Sequence, residues 1–171
     1  MAVTARDVWY FLLTVALALA FVGAYNLSVW LTQPDDPPAP PLSVTSVDGA
    51  VFTLSEHRGS VVVVDFFATW CEPCAIVESR LGQVFNASEV PGLVIVSVGG
   101  DLDEDMNMLG AYQNKHAIPW TVARGTEQVL SDWGVQQFPH VVVVDKEGRM
   151  AAAFHGLPEP GQLERAIRNA A

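Results

Sequence analysis

The chain has 171 residues, half of them hydrophobic, and a formal net charge of −10 at pH 7. That length suits one compact domain plus a tail, and the apolar fraction excludes wholesale disorder. All but one of the 19 acids and all but one of the 9 bases lie after residue 34, so the acidic part does not seek nucleic acid or anionic lipid by charge.

Residues 1–33 form the first segment. From Val8 to Pro34 there is no charged side chain. A helix over 8–31 would be about 36 Å long, enough to cross a hydrocarbon core of roughly 30 Å with tilt. Trp9 and Tyr10 at one end and Trp30 at the other match an aromatic belt. Arg6 before the span and Asp35 and Asp36 after it favour a cytoplasmic N-terminus. The expectation is a single-pass membrane protein of a prokaryotic cell, touching the lipid bilayer through residues 8–31. Its domain would lie on the extracytoplasmic side. The alternative is a cleaved signal peptide, for which Val22-Gly23-Ala24 offers a small-residue site. Against it, the apolar run continues to Leu31 and the leading charge is a single Arg beside Asp7.

Residues 34–41 hold Pro34, Pro37, Pro38, Pro40 and Pro41, a composition that favours extended, stiff backbone. The domain is expected over 42–171. Residues 43–47 and 51–54 flank Asp48-Gly49, a hairpin signal. Residues 61–67 are a near-continuous apolar run, as in a strand covered on both faces, and a helix is expected from about 71 to 85. A strand at 93–98 and a helix capped by Asp101 or Asp103 and reaching Lys115 form the next pair. A short strand at 120–122 and a helix at 126–133 follow. A hairpin over 141–145 and 149–154 and a closing helix at 162–169 end the chain. Strands alternating with helices predict an α/β domain.

Both cysteines of the chain lie in Trp70-Cys71-Glu72-Pro73-Cys74, directly after the buried strand. A helix N-terminus exposes unpaired N–H groups and partial positive charge, which favours a thiolate, the nucleophilic form. Cys71 is expected to be the exposed attacker. Cys74, one turn on and facing the same side, can resolve a mixed disulfide. Pro73 suits a first helical turn. No second CxxC and no paired His motif is present, so a zinc site is not expected and no cofactor beyond the redox pair is implied. Residues 101–107 place Asp, Asp, Asp and Asn as in a calcium loop. Met106 replaces the required Gly and Tyr112 the bidentate Glu, so helix capping is the expectation. Met106 and Met108 do not share a helix face, which speaks for packing rather than copper.

The segment resembles thioredoxin and, within that superfamily, the TlpA/ResA-like group of membrane-anchored oxidoreductases. The resemblance runs from about Pro40 to Ile167. It includes the opening hairpin, the Trp-Cys-Glu-Pro-Cys site, an inserted strand–helix unit around 93–115, and Gly134-Val135, Phe138-Pro139, Val144-Asp145 and Gly148. It implies a thioredoxin-like fold with an N-terminal β-hairpin and that inserted unit, preceded by one transmembrane helix. It also implies reduction of disulfides in exported proteins, of the cytochrome c maturation type, with recharging by a membrane thiol-reducing partner. A different class remains open: an accessory subunit docked on a membrane complex, with incidental redox activity.

Six further site residues carry expectations. Asp65, inside the buried strand, should have a raised pKa, and the resemblance implies that it handles the proton of Cys74; a backbone-bonded strand residue is the alternative. Glu72, between the sulfurs, either opposes a thiolate or is simply solvated in a first turn. Pro139 aligns with the family's cis-proline facing the CxxC. Trp70, Phe138 and His140 are expected along the substrate groove, Phe138 as a bulky shelf and His140 as a titratable group near the thiolate. The alternative turns Phe138 inward and His140 to solvent.

Overall fold

The computed structural model describes residues 5–31 and 36–171, in two units divided between Asp35 and Asp36. The first unit contains α1, Ala5–Leu31. Its side chains are described only at 9–10 and 12–26. Among the described residues no helix is long and apolar enough to cross a membrane. The expected transmembrane helix is thereby not supported as such. The backbone helix is present, but residues 12–26 alone rise about 22 Å, short of a hydrocarbon core. Val8, Phe11 and residues 27–31, on which the rest of that expectation falls, lie outside the described side chains.

The second unit is built on a seven-stranded sheet. Its elements are β1 (Ser43–Ser46), β2 (Val51–Thr53), β3 (Val62–Phe67), α2 (Glu72–Ala87), β4 (Val94–Gly99), α3 (Met106–His116), β5 (Thr121–Arg124), α4 (Glu127–Asp132), β6 (His140–Val144), β7 (Met150–His155) and α5 (Gln162–Asn169). The strand order is β2-β1-β5-β4-β3-β6-β7. Strands β3, β4 and β5 run parallel, while β6, β7 and the β1–β2 hairpin are antiparallel additions. The inserted strand–helix unit is β4 with α3.

Every residue of β3 is buried, which explains its unbroken apolar sequence. Alternation divides the strand between two cores. Val61, Val63 and Phe67 pack with Cys74, Val77 and Leu81 of α2, Leu109 and Tyr112 of α3, and Leu163 and Ile167 of α5. Val62, Val64 and Phe66 pack with Val44, Phe52, Val129 and Trp133 on the opposite face. Asp65 falls between Val63 and Phe67, so its side chain belongs to the α2 face.

Of the proline-rich stretch, the part from Pro37 onward lies on the domain. Ala39 N–H donates to Gly148 O at 3.0 Å, and Met150 N–H donates to Pro37 O at 2.8 Å. Pro38 forms a bridge with Arg149, and the Trp133 indole donates to Pro41 O at 3.4 Å.

Candidate active site

Cys71 and Cys74 are joined as a disulfide. Cys71 is the N-cap of α2, in extended conformation, and its Sγ accepts the Cys74 N–H at 3.3 Å. This is the orphan-donor geometry that stabilises sulfur as thiolate once the bond is reduced. Pro73 lies in the first turn, and Glu72 beside it is exposed. Cys71 keeps 6% of its surface exposed, whereas Cys74 has none, which separates an attacking sulfur from a resolving one.

The loop that delivers Cys71 is fixed from behind. Glu104, almost wholly buried, accepts from both the Thr69 N–H and the Thr69 hydroxyl through Oε1. Its own carbonyl is held by Arg124 Nε at 2.8 Å. In front stands Trp70, 68% exposed. Its indole N–H donates to Asp101 Oδ2 at 2.7 Å, and that bond holds the Asp101 carboxyl below its usual range. With Asp101 engaged by Trp70 and by the Asp103 N–H, the cap of α3 falls to Asp105, whose carboxylate accepts from Met108 N–H.

The peptide bond between Phe138 and Pro139 is cis, as the resemblance implied. Pro139 is buried and Phe138 half-buried. The Phe138 ring meets Trp70 edge to face, centroids 6.2 Å apart. Behind it the chain has Gly100; a Cβ there would stand 2.5 Å from Phe138 Cε1. Phe138 thus turns partly inward and forms the floor under Trp70. Replacing Phe138 with Thr should remove that floor and broaden the disulfide substrates accepted. Alkylation of Cys71 by a small reagent should keep its rate, and a parallel change in both would show that Phe138 acts on the sulfur instead.

His140 departs from the expectation. It is 1% exposed, stacked edge-on against Phe66, with its Nδ1 3.0 Å from His155 Nδ1. Register with Phe66 places it on the sheet face opposite α2. Burial, then the neighbouring His155, pushes its pKa down to about 4, so it is neutral at physiological pH. It is a core histidine, neither a group beside the thiolate nor a solvated one. The period-two argument from Phe138 fails because the cis-proline lies between them and redirects the chain.

Asp65 is fully buried. Its Oδ2 accepts from Ser97 Oγ at 3.2 Å, and Ser97 in turn accepts from the Trp120 indole at 2.9 Å. Oδ1 has no partner. Burial, reinforced by the charge of Glu78, holds its pKa well above the ordinary carboxylate range. Glu78 is the residue that sequence reasoning missed. It lies one turn beyond Cys74 on α2, 4% exposed, with Oε2 accepting from the Tyr112 hydroxyl at 2.8 Å. Burial raises its pKa to about 7. A signal was available: in the stripe Cys74-Val77-Glu78-Leu81 an acid occupies a buried helix face.

Comparison with known proteins agrees with this geometry. A thioredoxin-like family model matches residues 59–150, more than half of the chain. The thiol-disulfide oxidoreductase ResA of Bacillus thuringiensis (strain Al Hakam) is 26% identical over 127 residues, 74% of this chain and 72% of its own length. ResA of Geobacillus kaustophilus is 23% identical over 132 residues, 77% of this chain and 75% of its own. The solved structure of a thiol:disulfide interchange protein DsbE from Chlorobium tepidum superposes with a TM-score of 0.71 at 27% identity, covering 80% of this chain and 97% of the other. The chain belongs to the thioredoxin-like family and is a thiol–disulfide oxidoreductase of the ResA and DsbE type, with Cys71 and Cys74 as its redox pair.

Proposed function

We propose that the protein reduces disulfides in exported proteins from a membrane anchor, in the manner of cytochrome c maturation, and is recharged by a membrane thiol-reducing partner. The observation that carries the reading is the asymmetric pair: Cys71 capped and reachable, Cys74 sealed behind it. In the reducing direction the Cys71 thiolate attacks a substrate sulfur, the substrate's other sulfur leaves as thiolate, and a mixed disulfide forms. Cys74 then loses its proton and attacks Cys71 Sγ, and the second substrate sulfur leaves. Two electrons pass to the substrate, and the Cys71–Cys74 bond closes. The uncharged run of residues 8–34 in the sequence supports the anchor.

Turnover of insulin disulfides by the full chain in detergent tests the enzyme reading against the accessory-subunit reading. Reduction well above the dithiothreitol background is expected, and its absence would favour the accessory subunit. For the location, the mature chain should begin near Met1 and stay with membranes through a high-salt wash. An N-terminus at Tyr25, or release into the soluble fraction, would refute the anchor.

A further inference from the structure

Behind the redox pair the structure places a second buried carboxyl that the two-cysteine chemistry leaves unused. Asp65 points from β3 to the α2 face, where Cys74 is fully buried among Val63, Phe67 and Val77. Glu78 follows Cys74 by one helical turn, so both face the sheet together. The two acids are near enough for the charge of Glu78 to act on Asp65. Each retains one buried oxygen without a hydrogen-bond partner, Oδ1 of Asp65 and Oε1 of Glu78. Glu78 also lines a groove of about 420 Å³ between α2 and the turn that follows α3, together with Gln83, Asn86, His116 and Trp120. This groove opens along the flank of α2, whereas the substrate surface lies at its N-terminus around Trp70 and Phe138.

We propose that Glu78 acts through Asp65 as a proton relay, carrying the Cys74 proton to the groove beside α2 rather than to the substrate surface. The proposal rests on the oxidoreductase reading of Cys71 and Cys74 and adds a route to it. Ionised Glu78 takes the proton from Asp65; ionised Asp65 then accepts the thiol proton of Cys74. The Cys74 thiolate attacks Cys71 Sγ, the substrate sulfur leaves as thiolate, and Glu78 gives its proton to water in the groove. One proton leaves Cys74 and one reaches solvent, with no oxidant beyond the substrate disulfide.

The groups facing Glu78 are consistent with this role. From α3, the Tyr112 hydroxyl donates to Glu78, and burial keeps that phenol protonated. His116 stacks on the Tyr112 ring, centroids 4.2 Å apart, and shares the groove. From β4 the polar side chain is Ser97, already bonded to Asp65 and Trp120. Glu104 acts on Tyr112 through its charge and is engaged by Thr69. Among the described residues no basic side chain forms an ion pair with either acid. With burial holding Glu78 at about 7, the relay switches on as pH rises through neutrality.

The reduced full chain, mixed with Ellman's reagent, tests the route. The first coloured thiolate reports attack by Cys71, and the second reports resolution by Cys74. In the wild type the second phase should rise with pH through an inflection near about 7. Glu78→Gln, which keeps an acceptor for Tyr112, should lose that inflection and slow the second phase about tenfold at neutral pH, leaving the first phase unchanged. Asp65→Asn combined with Glu78→Gln should be no slower than Asp65→Asn alone. Tyr112→Phe, which keeps the ring and both acids, should move the inflection upward, because the hydroxyl bond favours the ionised carboxyl. An inflection kept by Glu78→Gln or unmoved by Tyr112→Phe would overturn the relay, as would multiplicative losses in the double variant. Loss of the first phase in the wild type would instead overturn the oxidoreductase reading.

Discussion

Replacing Cys71 with Ser should reduce disulfide turnover to the uncatalysed background, whereas Cys74→Ser should halt it one step later with the substrate still attached. The asymmetry follows from position on α2. The Cys71 sulfur sits at the cap, accepts the Cys74 N–H and keeps some exposure. The Cys74 sulfur is fully buried. Only Cys71 can meet a bulky substrate, and only Cys74 is placed to release it. Non-reducing electrophoresis of the Cys74→Ser protein should show mixed disulfides that collapse with reductant, and the trapped partners would identify the substrates. Alkylation of the reduced wild type at neutral pH should label Cys71 first. Labelling of Cys74 first would reverse the assignment.

Asp65→Asn should produce a protein that is slower and more stable together. Resolution of the mixed disulfide should fall by about a hundredfold, the low end of what a positioned proton acceptor contributes, with the initial attack left intact. A carboxyl whose folded pKa stands above its unfolded one holds its proton more tightly in the folded state. The stability it permits is full below the unfolded value and declines as pH rises toward the folded one. Glu78 sets a window for this decline, from 4.5 to about 7, worth roughly 3 kcal/mol across it. Asp65 is raised in the same direction, so an amide in its place removes its share of the loss. The variant's urea midpoint should exceed that of the wild type at about pH 8, with the gap closing toward about pH 4. A gap of one size at both pH values would mean that Asp65 does not titrate between them.

The order of elements was legible because each carries a local signature. The run 61–67 became β3, Asp48-Gly49 became the hairpin turn with Gly49 at φ 87°, and Thr126 caps α4. The placement of Cys71 at a helix start was legible for the same reason. Contacts between distant segments were not. Asp101 was a reasonable cap for α3 until Trp70, 31 positions earlier, took its carboxylate. His140 was placed by alternation from Phe138, which ignores the backbone reversal at a cis-proline. Glu78 shows its burial in the stripe Cys74-Val77-Glu78-Leu81 but not its partners, because only the folded chain brings Tyr112 and Asp65 to it. Polar groups inside a core are specified by pairing across the fold, and pairing leaves little local trace.

The proline strap along β7 has a consequence for self-association. The sheet ends at β7, and an open edge of that kind is a template on which another chain can lay a strand. Here residues 37–39 cover the start of that edge through Ala39 and Pro37. Within residues 37–41 four of five are proline, and the single N–H, on Ala39, is spent inward on Gly148. The strap therefore has no donor to offer outward, and a further strand would find half of its ladder missing. At the opposite edge β2 is only three residues long. Pairing with a further strand is therefore disfavoured at the start of β7 by the missing donors and at β2 by its brevity, which leaves residues 151–155 as the stretch of edge on which another copy could lay a strand.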